Sequence, residues 1–186
     1  LSATALYIII KNNMNIQKML KGGKKMSVKW DGTKLLETIV ANEESTAKLY
    51  RAIAENANIG AKFFEILAAD EERHKMIYEA LLVKYADKLG LELDEAYSEY
   101  VDLLIRRNVV FDNKLIEDAK TIDRRDQILQ IAERAERDAI LFVSELQKMY
   151  PIMAKEEMEI ILNEERKHLK MVLEKQELPQ PYIRGL

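Results

Sequence analysis

The sequence predicts an all-α protein, an antiparallel four-helix bundle with a helical crossover joining its two halves. Three observations carry this. Only six glycines and three prolines interrupt 186 residues. Apolar residues recur at spacings of three and four along four long stretches, the pattern of amphipathic helices. The two halves also carry the same polar elements in the same order. That implies two helical hairpins packed about an approximate twofold axis, not a solenoid of many short repeats.

The first helix is expected over residues 33–57, with Leu36, Ile39, Val40, Ala47, Tyr50, Ile53 and Ala54 on one face. The second runs over 59–89 and places Phe63, Ile66, Leu67, Asp70, Glu71, His74, Ile77, Tyr78 and Leu81 along one side. Gly90 then suits a left-handed C-terminal cap. Residues 91–121 form the crossover, in which Asp94 starts a helix to about Arg107 and Asp112 caps a short helical turn. It is expected to pack over one end of the bundle, with control of access to the interior as the lesser alternative. The third helix covers 122–149. Pro151 fits the first turn of the fourth, where its missing N–H costs nothing, and that helix ends before Pro179.

The bundle thus occupies residues 33–176, between an extension over 1–32 and a tail over 177–186. The apolar run at 5–10 is far shorter than the roughly 20 residues of a membrane span, and no basic segment precedes it. Lys21-Gly22-Gly23-Lys24-Lys25 reads as a flexible linker, so the extension is expected to be flexible or non-native, with Met14 or Met26 as the natural start.

A composition of 48% hydrophobic and 33% charged residues fits one globular domain. The net charge of -3, with both signs interspersed, offers neither a basic stripe for nucleic acid nor a polybasic membrane anchor. Neither partner is expected, and the cytoplasm is the default compartment. The absence of cysteine excludes disulfides, thiolate-bound iron and a thiol nucleophile within these residues.

The chain has two histidines, and each follows a glutamate by three residues: Glu71-Glu72-Arg73-His74 and Glu165-Arg166-Lys167-His168. On a helix that spacing puts both side chains on one face, about 300° around and one turn along. One such pair could be a solvated helix face. Two pairs, facing each other across a bundle, offer the mixed carboxylate and imidazole donors of a two-metal site. A second pattern accompanies them: Glu44-Ser-Thr-Ala47-Lys-Leu49-Tyr50 and Glu136-Arg-Asp-Ala139-Ile-Leu141-Phe142, both Glu-x-x-Ala-x-Leu-aromatic. The offset is 92 residues from Glu44 to Glu136 and 94 from Glu71 to Glu165. Charge on an inward face is costly unless paired or metal-bound. Glu43 lies just around the helix from Glu44, and the repeat favours Glu44.

In these motifs, over residues 33–176, the chain resembles the rubrerythrin-like branch of the ferritin-like superfamily, in its form without a rubredoxin domain. The resemblance implies a di-iron centre with Glu44 and Glu136 as terminal carboxylates, Glu71 and Glu165 as bridging carboxylates, and His74 and His168 as nitrogen ligands. These six are also the expected catalytic residues. Rubrerythrins carry an extra glutamate three positions after the repeat-matched one, where this chain has Ala139. Glu133, one turn before Glu136, is therefore either not a ligand or, in the alternative register, the terminal ligand with Glu136 as the mobile one. Relatives also place Phe-Tyr six and seven residues after the helix Glu, whereas Glu44 is followed there by Tyr50-Arg51. Tyr50 reads first as a core aromatic and second as a neighbour of a ligand.

What the resemblance implies chemically is a non-haem di-iron oxidoreductase of rubrerythrin type, with iron cycling between Fe2+ and Fe3+ and manganese as the alternative metal. The substrate would be H2O2, or O2, and the electrons would come from an external donor such as a rubredoxin-like protein. A homodimer is expected. The rival readings are a ferroxidase or iron-handling protein of ferritin type, a manganese or mixed-metal oxidase, and a metal-free structural bundle.

Overall fold

In the computed structural model, described over residues 30–56, 60–85, 88–90, 92–151 and 153–178, the chain is an all-α four-helix bundle. The readings of residues 1–29, including the start at Met14 or Met26, and those of the tail after 178 lie outside the described residues.

Four long helices make the bundle: α1 (Gly32–Ala54), α2 (Ala61–Tyr85), α5 (Arg125–Met149) and α6 (Lys155–Glu177). The crossover contributes α3 (Glu95–Arg107), a 3-10 turn (Val109–Phe111) and the short α4 (Asn113–Asp118). α1 packs along α2 and α5 along α6, giving two hairpins, and α1 joins them by packing on α5. Aspartates start three helices as expected of N-caps: Asp31 accepts from Lys34 N at 2.8 Å, Asp94 from Tyr97 N at 2.8 Å, and Asp112 from Lys114 N at 3.0 Å.

Two expected boundaries move. α2 ends at Tyr85 rather than near Leu89, and Gly90 is not a left-handed cap; Gly60, before α2, is the glycine with positive φ among the described residues. The reason is tertiary. After α2 the chain pairs with the entrance to α1, through Gly32 N to Leu89 O at 2.9 Å and Leu93 N to Trp30 O at 2.7 Å. Leu89 is fully buried there. Pro151 likewise lies in a turn ahead of α6, not in its first turn: the helix starts at Lys155, after Ala154 at φ 45°.

The crossover does not sit over one end alone. Val101 and Ile105 join the core around Trp30, Leu36 and Met158, while Val110 and Ala119 join the core around Tyr50, Phe64 and Leu129. Trp30 is fastened to α3 by an indole N–H bond to Asp102 at 2.8 Å. These two apolar clusters fill opposite ends of the bundle, and between them lies a layer of buried carboxylates and imidazoles.

Candidate metal centre

Each bundle helix sends one face into that layer. From α1 comes Glu43, from α2 Glu71 and His74, from α5 Glu136, and from α6 Glu165 and His168, all at most 3% exposed. Their donor atoms fall into two groups, Glu43, Glu71, His74 and Glu165, and Glu71, Glu136, Glu165 and His168, with atoms in each group within 4.8 Å of one another. Glu71 and Glu165 belong to both. The imidazoles turn Nδ1 inward: His74 Nδ1 lies 2.7 Å from Glu165 and 3.4 Å from Glu71, and His168 Nδ1 lies 3.1 Å from Glu71 and 3.7 Å from Glu136.

The sequence placed Glu44 here, and the structure corrects that by one residue. The Glu44 side chain is 28% exposed and pairs with Lys48 at 2.5 Å and Lys75 at 3.4 Å. Burial would raise its pKa, but the two ammonium groups outweigh burial and hold the carboxyl below its ordinary value. One residue is about 100° of helix rotation, enough to swing a side chain from the interior to the rim. Glu43 lies seven residues after Leu36 and seven before Tyr50, both fully buried, so the apolar stripe itself marks it as inward. The matched motif obscured this, because the true offset from Glu43 to Glu136 is 93. Glu133 also stands apart from the cluster, its carboxylate bonded to Arg137 and Gln176, each at 2.9 Å.

Counting from Glu43 rather than Glu44 puts Tyr50 at the seventh position, the spacing expected from the sequence resemblance. Its buried hydroxyl donates to Glu136. Burial, then the charges of Glu136 and Glu71, push the phenol well above its ordinary pKa, so it remains a protonated donor. Tyr78, seven residues after Glu71, is buried with a hydroxyl that has no hydrogen-bond partner. Sequence reasoning put Asp70 on the Glu71 side of its helix without giving it a role, and passed over Glu164; the two meet the outward ring nitrogens of His168 and His74. Their signal is position: each immediately precedes the glutamate of a Glu-x-x-His pair.

The electrostatics of the cluster call for cations. Both oxygens of Glu43 and of Glu165, one each of Glu71 and Glu136, and Nδ1 of His74 are buried without a well-aligned hydrogen bond, although His74 Nδ1 lies against Glu165. Native interiors rarely leave so many polar atoms orphaned in one place. Burial, and then the neighbouring carboxylates, drive Glu43 and Glu136 well above the ordinary carboxyl range; burial and Glu71 also raise Glu165. Glu71 moves the other way: burial would raise it, but the two imidazoles hold it near about 2. His74 is lifted to about 10, its burial overcome by Glu165 and Glu71. Protons thus stand in for positive charge, and a donor set of four carboxylates and two imidazoles fits a pair of divalent first-row metals.

The bundle and this cluster define a helical protein of ferritin-like architecture with a buried carboxylate and histidine site able to hold metal. A family model described as Rubrerythrin matches residues 34–175, and the chain belongs to that family. Neither a search of curated proteins nor one of solved structures returned a match.

Proposed function

We propose that the chain is a non-haem di-iron oxidoreductase that reduces hydrogen peroxide to water, using two electrons and two protons per peroxide. The observation that carries this reading is that two donor groups share Glu71 and Glu165, as a pair of adjacent metals requires. Glu43 and His74 would complete one position, Glu136 and His168 the other. Iron bound there would supply the two electrons, one from each ion, and would be reduced again from outside.

The chain's own residues do the rest. Tyr50 holds a proton on its hydroxyl and aims it at Glu136 Oε1, which restrains that carboxylate. The apolar clusters on either side keep bulk water from the layer, strengthening every charge interaction inside it. With no cysteine among the 186 residues, rereduction is assigned to a centre outside them, such as a rubredoxin-like protein. The same ligands would serve a ferroxidase that consumes O2, or a manganese enzyme, since oxygen-rich donors discriminate poorly between these metals.

The test is metal content by mass spectrometry on protein from iron-replete anaerobic cells, then stopped-flow spectra of the reduced protein mixed with H2O2 or O2. Two irons per chain with faster oxidation by peroxide support the proposal. Faster oxidation by O2 moves it to ferroxidase, two manganese ions move it to a manganese oxidase, and no stoichiometric metal ends it.

A further inference from the structure

Arg73 touches none of the six inward donors, yet it is linked to both histidines. His74 on α2 meets Glu164 Oε2 on α6 through Nε2 at 2.9 Å. His168 on α6 meets Asp70 Oδ2 on α2 through Nε2 at 3.2 Å. Each imidazole is therefore backed by a carboxylate from the other hairpin. The Arg73 guanidinium joins those two carboxylates, with Nη1 at 3.0 Å from Glu164 and Nη2 at 3.1 Å from Asp70. The two rings it controls lie stacked, 5.6 Å between centroids.

We propose that Arg73 is a positioning residue which couples the two metal positions by holding Asp70 and Glu164, and through them both histidine rings, in register across the two hairpins. The proposal rests on the metal-binding reading above. A ring that presents the Nδ1 lone pair to a metal carries its proton on Nε2, and that N–H must donate outward to a fixed acceptor. Asp70 and Glu164 are acceptors at the rim, with side chains 34% and 25% exposed. Drawn to one guanidinium they stay in place; without it, two like charges close together are free to turn toward water. The planar arginine fork can serve two carboxylates at once, which a lysine ammonium does poorly. The halves differ here. The position matching Arg73 in the second Glu-x-x-His motif is the exposed Lys167, so a single bracket serves both rings.

The experiment titrates metal-free wild type, Arg73→Ala and Arg73→Lys with Co(II), reading visible absorption and heat, and records proton NMR of the Zn(II)-loaded proteins. Wild type is expected to bind two ions, with two slowly exchanging imidazole Nε2–H signals. Arg73→Ala should weaken Co(II) binding about 10- to 100-fold, the usual effect of losing an outer partner of a metal ligand. It should make the second ion bind more weakly than the first, and it should broaden both Nε2–H signals, while Arg73→Lys recovers only part of the affinity. Melting of metal-free Arg73→Ala should stay close to wild type, since a rim ion pair contributes little to stability. Arg73→Gln serves as the second variant if alanine impairs folding. Wild-type Co(II) affinity with both Nε2–H signals retained in these variants overturns the coupling role. Failure of the wild type itself to bind Co(II) or Zn(II) overturns the metal reading, and the coupling role with it.

Discussion

The two hairpins match in the inward carboxylates and imidazoles of the buried cluster and differ in much that surrounds them. Glu43, Glu71 and His74 recur as Glu136, Glu165 and His168 at offsets of 93 and 94 residues. At the same offsets Tyr50 is matched by Val143, Tyr78 by Val172 and Arg73 by Lys167. Both valines are fully buried, so the second half fills with methyl groups the places where the first half carries hydroxyls. The inward donors and the carboxylates behind the imidazoles are thus nearly symmetric, while the buried hydroxyls and the Arg73 guanidinium are one-sided. In consequence the two donor groups are inequivalent: Glu136 receives the Tyr50 hydroxyl, and neither oxygen of Glu43 meets a donor.

The largest expected effect erases the comparison altogether. Glu71→Ala removes a carboxylate common to both positions, and metal analysis should show both ions lost, whereas loss of only one would mean Glu71 is not shared. Next comes the one-residue distinction on α1. Glu43→Gln should abolish the position completed by His74 and leave at most one ion, while Glu44→Gln should leave two. Because Glu43 is crowded by like charges, the metal-free Glu43→Gln protein should also melt higher than wild type, by about 2–4 °C if 1 kcal/mol of repulsion is relieved. A lower melting temperature would mean that the carboxyl is satisfied in a way its surroundings do not indicate.

Tyr50→Phe separates the halves more gently. It should keep both ions yet slow peroxide-driven oxidation about a hundredfold, at the low end for loss of a placed proton donor; an unchanged stopped-flow rate would return Tyr50 to the role of core aromatic. The pH dependence follows from the raised and lowered groups. His74 has its folded pKa raised to about 10, so its contribution is complete below about 6.5 and is lost as pH climbs toward 10. Glu43 and Glu136 are raised as well and likewise cost stability as pH rises past the ordinary carboxyl range. Glu71 is depressed to about 2, so its contribution is present above about 4.5 and fades toward pH 2. Metal-free protein should therefore melt lower at about pH 9 than at about pH 6, and the gain in melting temperature on adding metal should be larger at the higher pH. Equal gains at both would argue that the cluster does not exchange protons for metal. Smallest is the contrast of helix starts. α1 has its Asp31 cap, whereas α6 begins at left-handed Ala154 without a side-chain cap; Ala154→Gly should stabilise by about 1 kcal/mol in a melting curve.

The fold and most of the buried donor residues were legible because they rest on local rules. Helical spacing located all four long helices, the two aspartate caps of the crossover were read correctly, and Glu-x-x-His is a pattern within one helix. Glu44 was misread because aligning Ala47 with Ala139 looked like evidence of register, while the apolar stripe through Leu36 and Tyr50 already pointed to Glu43. The start of α6 was set too early because Pro151 was read as its first turn, and the end of α2 escaped because it depends on a distant partner: the chain after Tyr85 is drawn off to pair with Trp30 and Gly32, and no local signal announces that. Asp70, Glu164 and Arg73 belong to the same class. Their roles exist only between helices, and in the sequence each is one more charge in a charged helix.

The band of acids and imidazoles between two greasy ends also governs how the chain can assemble. Sliding one helix by a turn, about 5.4 Å, would press a glutamate among residues such as Leu35, Ile39 and Met158 on one side or Leu49, Phe64 and Leu67 on the other. Every such misthreading is penalised, whereas bringing two look-alike hairpins together at the one level where acid meets imidazole is not. The residues set aside for chemistry therefore double as the key that tells a duplicated chain where its halves must meet.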